Sequence, residues 1–194
     1  MEYNFMFFFN SILLGIGLAM DAFSVSLANG LNEPDMKRKK MGSVAFVFAF
    51  FQTLMPLIGF LCVHNFVEHF RQFEKFIPYI ALALLCYIGG SMIVGAVKGK
   101  EEEEEKPGVG FLALMIQGVA TSIDALSVGF TISSYDFVMA LVASVIIGFV
   151  TFCICSVGLV LGKRFGTMLK SKAEIFGGVI LVLIGVEIFI TGVI

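Results

Sequence analysis

Charge is scarce in this sequence. Acidic and basic side chains make up 14% of its 194 residues, against about a quarter in a soluble domain. The shortage is also concentrated. Segments 41–63, 76–97 and 137–162 hold no charged side chain, and 5–31, 107–135 and 175–194 hold one each. A helix needs about 20 mostly apolar residues to cross the hydrocarbon core. Six segments qualify, the linkers between them are too short for a soluble domain, and the mean hydropathy is +0.97. The expected fold class is all-α, an integral membrane six-helix bundle.

Other absences narrow the function. No basic stretch precedes the first apolar run and no small-residue cleavage pattern follows it, so 5–31 reads as a retained first helix. There is no G-x-x-x-x-G-K-[ST] phosphate loop, and no extramembrane domain to hold ATP. The net charge of −2 gives no sign of nucleic-acid binding. Cysteine is limited to Cys62, Cys86, Cys153 and Cys155, all in or beside apolar segments. Cys-x-Cys spacing puts two thiols on nearly opposite sides of a helix, so these read as small buried apolar residues. His64 and His69 fall in an aromatic and charged stretch, 64–76, that reads as a short interfacial amphipathic helix; a polar interfacial role suits them better than metal ligation.

The few basic residues are unevenly placed. Loops after the first, third and fifth segments carry Lys37, Arg38, Lys39 and Lys40; Lys98, Lys100 and Lys106; and Lys163, Arg164, Lys170 and Lys172. The opposite side has only Arg71 and Lys75. The positive-inside rule then puts the basic loops in the cytoplasm and both termini outside a cytoplasmic membrane.

What is present is a repeated phrase. Residues 15–30 read GIGLAMDAFSVSLANG and 118–133 read GVATSIDALSVGFTIS, with Gly, Asp, Ala, Ser and Val shared at an offset of 103. Gly59 and Gly162 share that offset. The chain is expected to be a duplication: a first three-helix repeat in 1–97 (helices about 5–31, 41–63 and 76–97), an acidic cytoplasmic linker at 98–107, and a second repeat in 108–194 (helices about 108–133, 137–162 and 174–193). Three is odd, so the copies must cross the membrane in opposite senses, as in many secondary transporters. Within the linker, Glu101–Glu105 reads as a solvated spacer.

Each copy carries one acid inside its first helix, Asp21 and Asp124. A carboxylate at the bilayer centre costs about 2.5–3.5 kcal/mol on insertion scales, so two of them call for a functional reason. By helical spacing Asp21 shares a stripe with Gly17, Ser24 and Ala28, and Asp124 with Ala120, Ser127 and Thr131. Small residues let membrane helices approach closely, so the stripes are expected to face each other or a shared cavity. Pro56 cannot donate to the carbonyl of Gln52, so residue 52 offers both an amide and a freed carbonyl. Glu187 is a third acid in an apolar run, read as an interfacial acid or an accessory metal or proton site. Asn29, Gln117, Thr121 and Ser122 are polar neighbours with no role assigned.

Carboxylates, hydroxyls and an amide are hard oxygen donors, suited to magnesium, calcium or manganese. The expected metal set is Asp21, Asp124, Gln52, Ser24 and Ser127. Burial and a like charge both disfavour ionisation, so an empty site should hold at least one proton, released when metal arrives. Moving a divalent cation outward against an inside-negative potential costs about 4.6 kcal/mol per 100 mV. Without ATP, proton exchange is the available source for export.

The phrases GLAMDAFSVSLANG, QTLMPLIG, ATSIDALSVG and AEIFGGVILVLIGVEI resemble the manganese efflux pump (MntP) family, small six-helix bacterial membrane proteins of the lysine-exporter superfamily. The resemblance implies Mn2+ export across the cytoplasmic membrane. It puts functional weight on Asp21 and Asp124, and on Gln52, where some members carry an acid. Competing readings are an exporter of an amino acid or other small cationic solute, an intramembrane aspartyl protease, and a membrane-organising protein. The protease needs two unlike aspartate environments and a G-x-G-D phrase that is missing, so a non-enzymatic reading stands. No bound cofactor is called for, and Mn2+, protons and lipid are the expected partners.

Overall fold

The computed structural model describes residues 5–65, 77–97, 110–169 and 173–193. Every regular element among them is helical, as expected where backbone groups must satisfy one another without water. In chain order these are α1 (Phe5–Asn32), α2 (Arg38–Asn65), α3 (Ile77–Val97), α4 (Phe111–Ala120), α5 (Ile123–Thr131), α6 (Phe137–Leu169) and α7 (Ala173–Val193), with a 3-10 turn, Ile132–Ser134, after α5. Among the described residues three helices are long and apolar enough to cross a membrane, α1, the Arg38–Cys62 part of α2 and the Phe137–Thr167 part of α6, and the bent α4–α5 pair makes a fourth if counted as one span. The chain is thus an all-α, multi-pass membrane protein. Large apolar side chains such as Phe46, Phe149 and Leu183 are exposed on its outside, the surface that lipid covers.

The structure departs from the sequence reading at several boundaries. α2 starts at Arg38 rather than near 41, because a basic side chain can reach outward from a helix end. α6 continues past 162 to Leu169. The helix expected over 108–133 is two pieces, α4 and α5, bent by 43° at Thr121–Ser122. The readings for 66–76 (with His69, Arg71 and Lys75), the Lys98–Pro107 linker with Glu101–Glu105, and Lys170 and Lys172 lie outside the described residues, as does the side chain of His64. The four cysteines are free, but only Cys155 is fully buried and Cys153 is exposed. Cys153 points outward because two residues turn a helix through roughly 200°.

Helix order follows from which residues meet. Along α1 and α6, Phe7 packs with Met139 and Ala143, Gly15 with Ile147 and Val150, and Gly30 with Leu159 and Lys163. These two helices therefore run parallel. Likewise α2 runs parallel to α4 and α5: Phe51 meets Gly118, and Gly59 meets Gly129. α2 is antiparallel to α6, with Thr53 beside Gly148 and Phe60 beside Phe137. α3 and α7 are also antiparallel, pairing Tyr79 with Phe189 and Gly89 with Gly178. Close crossings of this kind need glycine, since any side chain would strike the facing backbone.

One end of the assembly is fixed by the α1–α2 turn. Lys163 Nζ donates to the Met36 carbonyl at 3.0 Å, Lys40 pairs with Glu33 at 2.6 Å, and Gly166 lies under Leu31 and Pro34. This gathers Lys37–Lys40, Lys163 and Arg164 on one face, the basic-loop side. The N-terminal end of α4 is on that side too, because α4 parallels α2.

Candidate cation site between α1 and the broken helix

Asp21 sits mid-way along α1, half-buried. Asp124 lies in the first turn of α5, just past the break, and its side chain is accessible. The break arises locally. The Gln117 carbonyl accepts both the Thr121 amide and, at 2.9 Å, Thr121 Oγ1, while the Ser122 amide shifts to the Val119 carbonyl and leaves that of Gly118 to Ser122 Oγ. The Ala125 amide donates to Asp124 Oδ1 at 2.8 Å instead of reaching back to Thr121. A carboxylate at this position also faces the positive end of the α5 dipole.

Asp124 has Asp21 as its acidic neighbour across the two helices, and Asp21 has Glu187 on α7. The side chains of Ser127 and Thr131 lie on the accessible face of α5 with Asp124, and Ser24 is half-buried like Asp21. Ser24 Oγ is bonded to the Met20 carbonyl at 3.0 Å, and Thr131 Oγ1 to that of Ser127 at 3.4 Å. Among the described residues no basic side chain pairs with either aspartate; the ion pair found is Lys40 with Glu33. Nor do three acidic, histidine or cysteine side chains gather tightly enough there to hold a metal ion. Glu187, exposed on α7, is an electrostatic neighbour of Asp21 and does not complete a three-acid cluster.

Gln52 is fully buried. Its Nε2 donates to the Leu18 carbonyl at 3.2 Å, one turn from Asp21, while Oε1 has no partner. Pro56 stands four residues on inside α2, so the Gln52 carbonyl also lacks its usual amide donor. A buried unsatisfied acceptor costs about 1–3 kcal/mol and calls for a partner such as a cation or water.

Of the two arrangements expected for the stripes, the structure does not show direct contact. The stripes are not a close helix–helix seam. A Cβ on Gly17 would meet nothing within 4 Å, and direct packing of α1 on α5 is sparse. Ala28 and Ala120 are buried, but the middle of each stripe opens onto space. The tight seams are instead α1 on α6 and α2 on α5, where Gly30, Gly162, Gly59 and Gly129 sit. The physical reason is that glycine further along each helix lets a neighbouring backbone come closer than the stripe residues do. Relative to those crossings the acids are offset: Asp21 precedes Gly30 by nine residues and Asp124 precedes Gly129 by five, a difference of about one helical turn.

Sequence reasoning assigned no role to Asn29, Gln117, Thr121 and Ser122, all of them buried. Adjacent Thr and Ser in the centre of an apolar span was the available signal for the break.

Comparison with known proteins shows the family. The family model described as "Putative manganese efflux pump" matches residues 35–189. A protein of Ruminiclostridium cellulolyticum named "Putative manganese efflux pump MntP" is 43% identical over 180 residues, covering 92% of this chain and 93% of that one. Proteins of the same printed name from Clostridium perfringens strain SM101 (37% over 206 residues, 94% and 95% covered) and Gloeothece citriformis (39% over 177 residues, 91% and 92% covered) are similar throughout. No solved structure matches the chain. With a family model and full-length relatives both in agreement, this chain belongs to the MntP manganese efflux pump family.

Proposed function

We propose that this chain is a secondary transporter that exports Mn2+ across the cytoplasmic membrane in exchange for protons, through a site shared by Asp21 and Asp124. The observation that carries the reading is a pair of intramembrane carboxyl groups on two different helices, each on a stripe that opens onto space and without a basic partner among the described residues. Two such charges suit one divalent cation, and protons can take its place. Ser24, Ser127 and the unpartnered Oε1 of Gln52 add neutral hard oxygens, the donor class that suits Mn2+ over softer metals. Glu187 tunes Asp21 from outside this set.

In this reading six segments cross the membrane: α1, α2, α3, the α4–α5 pair, α6 and α7. Residues 1–97 and 108–194 are inverted repeats, joined by 98–107, with both termini outside. Parallel α1 and α6 correspond to parallel α5 and α2 under such a repeat, and both pairs cross at glycine. Alternating exposure of the acids to the two faces then moves the ion.

Flux of Mn2+ in sealed vesicles with an imposed pH gradient tests the proposal. Mn2+ is expected to move toward the acidic compartment and to stop when the gradient is collapsed. Flux indifferent to the gradient would remove proton exchange. Absence of Mn2+ flux, with an amino acid moving instead, would replace the substrate.

Gln52 gives a separate prediction. Gln52→Leu removes one hydrogen bond and one unsatisfied acceptor, so metal-free stability should change by less than about 1 kcal/mol. The extra thermal stability conferred by Mn2+ should fall, corresponding to about tenfold weaker binding. Thermal unfolding in detergent with and without Mn2+ reads both; unchanged Mn2+ stabilisation would remove Gln52 from the site.

A further inference from the structure

The aspartates lie between two closures of different chemistry. Away from the basic loops, Leu14, Leu18, Met55, Ala125, Val128 and Ile147 form one apolar cluster. On the basic-loop side, Asn29 Nδ2 donates to Gln117 Oε1 at 2.8 Å. Both amides are almost inaccessible, at 2% and 1%. Asn29 is eight residues beyond Asp21 on α1, and Gln117 is seven residues before Asp124, on the other side of the break.

The two pieces of the broken helix are held unequally. α5 is set on α2 at the Gly59–Gly129 crossing, where a Cβ on Gly129 would lie 2.6 Å from Phe60 N. α4 meets α2 where Gly118 abuts the Phe51 ring and sets Leu114 and Ala120 in the main apolar core, but it touches α3 lightly and packs only sparsely on α1. Between the pieces the backbone ladder is irregular: the Ser122 amide turns to the Val119 carbonyl, and the Ala125 amide to the Asp124 carboxylate. Gln117 belongs to both features. Its side chain reaches Asn29, and its carbonyl accepts from the Thr121 amide and hydroxyl at the break.

We propose that α4 is a gate on the basic-loop side, hinged at Thr121–Ser122 and latched by the Asn29–Gln117 hydrogen bond. An apolar plug resists opening because water gains nothing there, whereas two amides exchange their mutual bond for bonds to water at small net cost. The basic-loop side is therefore the side that opens by moving one short half-helix, while α5 keeps Asp124 fixed on α2. A few element-terminal residues absorbing the backbone change is the usual form of such a hinge. The inference deepens the transport reading, since it supplies the ion's route to Asp21 and Asp124 from that face.

The test reads the latch with no metal present, so its failure and a failure of manganese transport are distinguishable. Ser24→Cys places a thiol between Asp21 and the latch, and a membrane-impermeant methanethiosulfonate is added to the basic-loop face of sealed vesicles. Modification at position 24 is followed by mass spectrometry, so the native cysteines stay in place. Labelling should be slow with the latch intact and about tenfold faster with Asn29→Ala or with Gln117→Ala, the effect of losing one buried hydrogen bond. Exchanging the pair, Asn29→Gln with Gln117→Asn, should restore slow labelling. Equal rates in the latched and alanine proteins would overturn the proposal, and so would an exchange protein labelled as fast as the alanine proteins.

Discussion

Asp124→Asn and Asp21→Asn are each expected to abolish Mn2+ resistance in cells while leaving a folded protein in the membrane. The substitution keeps shape and removes one of the two charges of the proposed site. A unit charge 4 Å from another is worth about 4 kcal/mol at the effective dielectric of protein interiors. Against a divalent ion, with part of the gain already spent on desolvation, a net loss of about 4 kcal/mol is a conservative figure, close to a thousandfold in affinity. The fold should survive because an asparagine at 124 can still accept the Ala125 amide through its carbonyl oxygen. Asp21 has one accessible face and makes no hydrogen bond on which α1 depends. Growth on graded Mn2+, with membrane levels of each variant measured alongside, checks the result. Normal resistance in either variant would remove that residue from the site.

The second large effect concerns assembly rather than the ion. Gly129→Ala should lower stability by about 3 kcal/mol, and Gly30→Ala by a similar amount. A Cβ at 129 would lie 2.6 Å from both Gly59 Cα and Phe60 N, and one at 30 would lie 2.6 Å from the Leu159 carbonyl oxygen and 2.8 Å from Lys163 N. All of these are backbone atoms, which cannot rotate aside, so the helices must separate; overpacking of this kind costs about 1–3 kcal/mol. Gly17→Ala is the control, with nothing within 4 Å to meet. Thermal unfolding in detergent should rank Gly17→Ala beside the parent and the other two well below it. A Gly129→Ala protein as stable as the parent would mean the α2–α5 crossing is looser than described.

Much of this was readable in the residues. Membrane class follows from where charge is missing, and the helices lie close to the apolar runs because a lipid-embedded backbone has few alternatives. The repeated aspartate phrase located Asp21 and Asp124 without any structure, and Gln52 stood out through its relation to Pro56. What could not be read was spatial arrangement. Small residues around each aspartate suited either a contact seam or a shared cavity, because helical spacing identifies a face and not the partner it meets. The seams fell on Gly30 and Gly129, 99 positions apart, whereas the aspartate phrases and the Gly59–Gly162 pair are 103 apart. The interruption at Thr121–Ser122, where the Ser122 amide turns from the Gly118 carbonyl to that of Val119, leaves no trace in apolar periodicity either. The Asn29–Gln117 bond was hidden for a related reason: two amides 88 residues apart belong together only once α1 and α4 are in place.

The most direct test of the shared site is Mn2+ binding to the purified, full-length protein by electron paramagnetic resonance, with proton release recorded in the same titration. One tightly held ion per chain, accompanied by loss of at least one proton and abolished by either Asp21→Asn or Asp124→Asn, is the predicted result. Unchanged binding in both variants would place the ion elsewhere and contradict the account.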